Sequence, residues 1–150
     1  MTDLALAIAH HLAVFALAGL LVAEIALLGR TPGPDRIRQL AAIDAFYGGT
    51  AMLVIVVGVG RVVFGAAGWD YYVANWAFWA KMAAFLAVGV LSVAPTRAFL
   101  SWRRALATDA GFVPAHAEVR RLRLFFAAQV VIFALIPTFA AVMARGYGTL

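Results

Sequence analysis

The chain contains no cysteine. That excludes disulfides, thiolate metal sites, iron–sulfur clusters and covalent c-type haem attachment, and it leaves His, Met and carboxylates as the available ligands. Charge is also scarce. Only 13% of the 150 residues are Asp, Glu, Lys or Arg, against about 25% in an ordinary soluble domain. Lysine occurs once, as Lys81, and the other eleven basic residues are Arg. The sequence signatures of soluble enzymes are missing: no nucleophile elbow, phosphate loop, zincin helix or dinucleotide fingerprint. The net charge of +5 predicts no nucleic-acid partner, because the basic residues sit beside apolar runs, where membrane topology accounts for them.

What the chain has in excess is apolar sequence, 65% of the residues. It falls into four runs, 4–28, 40–64, 76–100 and 124–144. A helix rises about 1.5 Å per residue, so about 20 apolar residues cross a hydrocarbon core about 30 Å thick. The expected fold is therefore all-α: an integral membrane four-helix bundle over residues 1–150, one domain surrounded by lipid, with no room for a soluble catalytic head. Met1-Thr2-Asp3 supplies no positive n-region, and the first run is too long for a signal peptide, so it reads as a retained span.

Basic residues set the orientation. Arg30, Arg36 and Arg38 follow the first span, and Arg97, Arg103, Arg104, Arg120, Arg121 and Arg123 lie between the third and fourth. The opposite side has Arg61, Lys81 and Arg145. The positive-inside rule places the larger group in the cytoplasm and both termini outside it. The richness in Ala and Arg points to a bacterium, hence to a multi-pass protein of the bacterial inner (cytoplasmic) membrane.

Residues 31–35, TPGPD, break the first connection, with the second helix expected from Arg36. Residues 108–114 break the third, with Pro114 suited to the first turn of the last helix. Residues 65–75 read as an external loop. Its Trp69, Tyr71 and Tyr72, with Trp76, Phe78 and Trp79 beyond, form an aromatic belt at headgroup level. On the first span, small residues at 9, 13, 16, 19, 23 and 26 predict a close-packed seam. Gly48, Gly49, Gly58 and Gly60 on the second predict close helix contact or room for a flat ligand.

Ionisable residues inside spans are costly and face the bundle interior or snorkel to an interface. They form two layers here. The outer layer holds His10, His11, Arg61, Lys81 and Arg145, with Met82 and Met143 close in sequence. Imidazole and thioether are axial ligands of haem iron and soft ligands of Cu(I). Arg61, Lys81 and Arg145 would then pair with propionates or another anion. A polar helix start explains the His pair equally well, snorkelling explains the cations, and gap filling explains the methionines. The small-residue seam favours His10 over His11 as the inward-facing ring. The inner layer holds Glu24, Asp44, Gln129 and Arg97, Arg120, Arg121 and Arg123. An interhelical carboxylate–Arg ion pair is the expected arrangement, with a proton path from Glu24 or Asp44 as the alternative. His116 opens the last helix on the opposite face from His10.

The strings HHLAVFALAG from His10, DAFYG from Asp44, GRV from Gly60, NWAFWAKM from Asn75 and MARG from Met143 resemble an uncharacterised bacterial family of four-helix membrane proteins, a domain of unknown function. The likeness covers nearly the whole chain and implies a fold without an activity. More distantly, the layout is similar to the membrane domain of CopD copper-resistance proteins and to HemJ-type protoporphyrinogen oxidases. That similarity implies haem b or a related porphyrin, with His10 or His11 matching the first-helix His and Lys81 the third-helix Lys, and a redox role. Three functions stay open at this point: porphyrin binding in the outer half, copper or ion handling by His10, His11, Met82 and Met143, and a non-catalytic subunit of a larger membrane complex or homo-oligomer. Whether the chain is an enzyme stays open with them.

Overall fold

The computed structural model of the protein describes residues 2–65 and 68–148. The described residues form five helices and no strand: α1 (Thr2–Leu28), α2 (Pro34–Phe64), α3 (Gly68–Val73), α4 (Trp76–Thr108) and α5 (His116–Ala144). The four long ones are each long and apolar enough to cross a membrane. They pair as two antiparallel hairpins, α1 with α2 and α4 with α5, which meet mainly along α2 and α4. Both termini and α3 lie at one end of the bundle, here the terminal end. The connections after α1 and α4 lie at the other, the loop end.

Local chemistry explains the helix boundaries. Gly29, at φ +49°, ends α1 in the left-handed conformation that costs glycine nothing. Its carbonyl accepts a hydrogen bond from Arg123 of α5, which ties the first connection to the second hairpin. Pro34 opens α2, where a missing N–H is no loss. The helix thus begins two residues before the expected Arg36. Asn75 caps α4: its Oδ1 accepts from the Ala77 N–H at 3.0 Å. Pro114 precedes α5 instead of standing in its first turn, because Ala115 is the N-cap and His116 the first helical residue. Pro95 and Pro137 lie inside α4 and α5. Each removes one helical N–H and frees the carbonyl four residues before it, at Leu91 and Phe133.

The outer surface is apolar, as lipid requires. Phe15, Leu86 and Val131 are 72%, 68% and 66% exposed. The interior is a cluster that draws on α1, α2, α4 and α5 and includes Leu17, Leu21, Leu40, Phe99, Trp102 and Phe126. Phe99 of α4 stacks on Phe126 of α5 at 6.4 Å between ring centroids. The small-residue seam expected on α1 is not the packing face. Ala13 is buried, but Ala9, Ala16, Gly19 and Ala26 are exposed, and Leu17, Leu21, Glu24 and Leu28 face inward. Bulky side chains fill this interface, and the small residues leave a smooth face for lipid. Gly48 and Gly49 have open space around them, whereas Gly58 and Gly60 lie against α1.

Candidate functional site

The contacts fix how the helices are levelled against one another. A β-carbon on Gly58 would lie 3.3 Å from Cε1 of His10, and one on Gly60 would lie 3.6 Å from Leu6. Fourteen residues from His10 toward the loop end comes Glu24, and the same step along α2 leads from Gly58 to Asp44. The Thr96 hydroxyl of α4 donates to Asp44 Oδ1 at 2.7 Å. The Phe99–Phe126 stack then sets Gln129 of α5 level with Thr96. One polar residue from each long helix therefore stands in a single layer: Glu24, Asp44, Thr96 and Gln129. Fourteen residues from each of them toward the terminal end stand His10, Gly58, Met82 and Met143. At the helical rise the two layers are about 21 Å apart.

The terminal layer surrounds a cavity of about 220 Å³ lined by His10, Gly58, Arg61, Lys81, Met82 and Met143 within apolar walls. Phe85 and Phe133 line it and also touch the main core, so they separate it from the layer below. Trp69 and Tyr72 of α3 line it as well. The segment read from sequence as an external loop is thus a short helix that helps to wall the cavity. It is held down through the C-terminal segment: the Tyr71 hydroxyl donates to the Met143 carbonyl at 2.8 Å, Asn75 Nδ2 to the Tyr147 carbonyl at 3.3 Å, and the Trp76 N–H to the Gly148 carbonyl at 3.0 Å.

Within the cavity the Nδ1 of His10 is buried and makes no hydrogen bond of normal geometry. The polar group the ring faces on α2 is the backbone of Val54. Arg61 also has a buried, unpartnered Nε. Lys81 places its ammonium 5.3 Å from the Phe78 ring centroid, a cation–π approach that suits a charge drawn away from water. Among the described residues, no carboxylate lines the cavity.

The structure brings five of the seven sequence-derived site residues together: His10, Arg61, Lys81, Met82 and Met143. The other two stand apart. His11 is exposed on the outer face of α1, with its Nδ1 2.7 Å from the Ala7 carbonyl oxygen. Arg145 is exposed at the C-cap of α5. No group of three or more His, Cys, Asp or Glu side chains suited to a metal ion occurs among the described residues.

The loop-end layer departs from expectation. Asp44 is held by a hydroxyl, not by an arginine, and Glu24 keeps an unpartnered Oε1. Arg97, Arg120, Arg121 and Arg123 are all exposed. Arg123 turns to the Gly29 carbonyl, and Arg121 lies 5.8 Å from the Phe125 ring centroid. The carboxylate–Arg ion pair does not form, because these guanidiniums reach the surface more cheaply than the interior. Thr96 was missed by sequence reasoning. Its one visible signal is a hydroxyl between Pro95 and Arg97, the same distance from Met82 as Glu24 is from His10.

The chain belongs to the predicted membrane protein family DUF2214, whose model matches residues 2–148. That defines its class, a multi-pass membrane protein of a family without an assigned function. No curated protein and no solved structure shows significant similarity. The more distant similarity to CopD and HemJ proteins therefore has no counterpart among those matches.

Proposed function

We propose that the protein binds an amphipathic anion in the terminal half of the bundle, with haem b or a related porphyrin as the specific ligand. The observation that carries this reading is the composition of the cavity. An unpartnered imidazole and two cations converge within apolar and aromatic walls, and no lining carboxylate neutralises them. A fixed cation pair away from bulk water attracts negative charge strongly. The donor set fits a porphyrin: His10 is the axial candidate, Arg61 and Lys81 would hold carboxylates, and the aromatic walls would cover the ring. A haem in such a site would supply one-electron chemistry at iron. The protein's own part is to orient the His10 imidazole, keep water out and fix the anionic edge toward α2 and α4. At about 220 Å³ the cavity is below the range of about 300–1,000 Å³ typical of drug-sized ligands, so the hairpins must part slightly around a macrocycle.

Copper is the weaker occupant. His10, Met82 and Met143 offer Cu(I) a soft donor set, but Arg61 and Lys81 line the same cavity and repel a cation. The deciding experiment is an absorption spectrum, with metal analysis, of protein expressed with ample haem and purified gently. A Soret band lost or shifted in His10→Gln and kept in His11→Gln supports the porphyrin reading. A wild-type protein with no Soret band refutes it. Native mass spectrometry of the same sample then shows whether another anionic amphiphile occupies the cavity, and Lys81→Met should weaken its retention.

A further inference from the structure

The loop-end layer is a second site, about 21 Å at the helical rise from the cavity and independent of the function proposed for it. Glu24 is 2% exposed, Asp44 7% and Gln129 1%. Each sits on the inward face of its helix, beside Leu21 and Leu28 on α1, Leu40 and Ala41 on α2, and Leu122 and Phe126 on α5. Two carboxyl groups thus share one level with no cationic partner, inside a bundle whose outer surface is lipid. A bare carboxylate in such a place is prohibitively expensive, and two at one level more so. Stability requires that positive charge accompany them.

The unsatisfied atoms show where that charge would sit. Glu24 Oε1, Gln129 Oε1 and Gln129 Nε2 are buried and lack hydrogen-bond partners. Buried polar atoms are normally paired, and an orphaned group calls for a water or an ion. Together with Asp44 and the Thr96 hydroxyl, the oxygens form a hard donor set. Hard oxygen ligands suit small hard cations and not soft metals. The other titratable group on this level of the core is Tyr47, one turn along α2 and buried. The described part of α4 and α5 adds no titratable side chain to the interior here: Arg97, next to Thr96, is exposed, as is Arg123.

We propose that Glu24, Asp44, Thr96 and Gln129 form a binding site for one small hard cation, which the carboxyl pair takes either as a proton or as Na⁺. With a proton, one carboxyl is neutral and donates to the other or to Gln129. With Na⁺, that proton leaves and the Gln129 carbonyl oxygen completes the oxygen shell.

The test uses the full chain in lipid nanodiscs and infrared difference spectroscopy. Buffers are exchanged between NaCl and choline chloride at equal ionic strength, and separately between acid and alkaline pH. A carboxylic-acid C=O band that disappears on alkalinisation, and disappears with Na⁺ but not with choline, identifies competing occupants. A band that responds to pH alone identifies the proton. Glu24→Gln and Asp44→Asn should abolish the response, whereas Glu118→Gln, near the start of α5, should keep it. Gln129→Leu should weaken any Na⁺ response about tenfold, the loss expected for one good ligand contact. His10→Gln, which tests the cavity, should leave it unchanged. A wild-type protein with neither a titrating carboxylic-acid band nor a Na⁺-specific signal overturns the proposal, whatever the variants do.

Discussion

His10 and Gly58 are in direct contact: a β-carbon at position 58 would stand 3.3 Å from Cε1 of the imidazole. The absence of a side chain on α2 lets the ring lie against that helix, with Nδ1 buried. A histidine two to three turns inside a span thus keeps an inward position without a polar side-chain partner. Gly58→Val is expected to destabilise the protein by about 1–3 kcal/mol, the usual cost of overpacking. In a His10→Ala background the same change should cost much less. A double-mutant cycle in detergent checks this, and equal costs in both backgrounds would show that the contact has no energetic weight. Gly48→Ala serves as the control, with open space around it. It should be neutral or slightly stabilising.

Thr96→Val removes the 2.7 Å hydrogen bond to Asp44 while nearly preserving shape. It leaves a buried carboxyl oxygen unsatisfied, so the expected loss is about 1–3 kcal/mol. Thr108→Val is the comparison, since its hydroxyl bonds only the Ala105 carbonyl of its own helix on an exposed face. Chemical denaturation in mild detergent should separate the two, and indistinguishable midpoints would contradict the structure.

Tyr71→Phe deletes the bond to the Met143 carbonyl. The direct cost is about 0.5–1.5 kcal/mol, and it should appear locally. Faster amide exchange is expected in α3 and in residues 143–148, with the loop-end core unchanged. Exchange that accelerates throughout α1 and α2 would mean that α3 is not a separable wall of the cavity.

Topology can be read without background labelling, because the chain has no cysteine. Single cysteines at Gly111 and at Trp69 should be modified from opposite sides of the membrane. The basic connections predict Gly111 in the cytoplasm and Trp69 outside. The reverse pattern would refute that orientation.

The spans were legible because hydrocarbon imposes a length. The boundaries at Leu28, Phe64, Trp76 and Ala144 match the apolar runs. The boundaries at Thr108 and His116 do not, since α4 and α5 continue past the runs as helices rich in arginine. Hydropathy marks where lipid ends, not where a helix ends. His10 was chosen over His11 from a small-residue seam that turns out to face lipid. The inward side is set instead by Leu17, Leu21 and Glu24 on the same stripe. Glu24, Asp44 and Gln129 were visible as polar interruptions. Their lack of arginine partners was not, because side-chain reach depends on rotation about each helix axis and periodicity alone does not fix it. The short α3 was hidden by its length, too few residues for a pattern.

The hairpin arrangement also bears on how the protein is made. His10 and Arg61 are delivered with the first hairpin, and Lys81, Met82 and Met143 with the second. A nascent chain that has inserted only α1 and α2 owns half a chamber, open to lipid on one side. Any cofactor must therefore be loaded after the later hairpin docks, and its arrival closes assembly instead of seeding it. Two fragments divided near residues 66–67 and produced together should then find each other in the bilayer, with the ligand acting as the clasp between them.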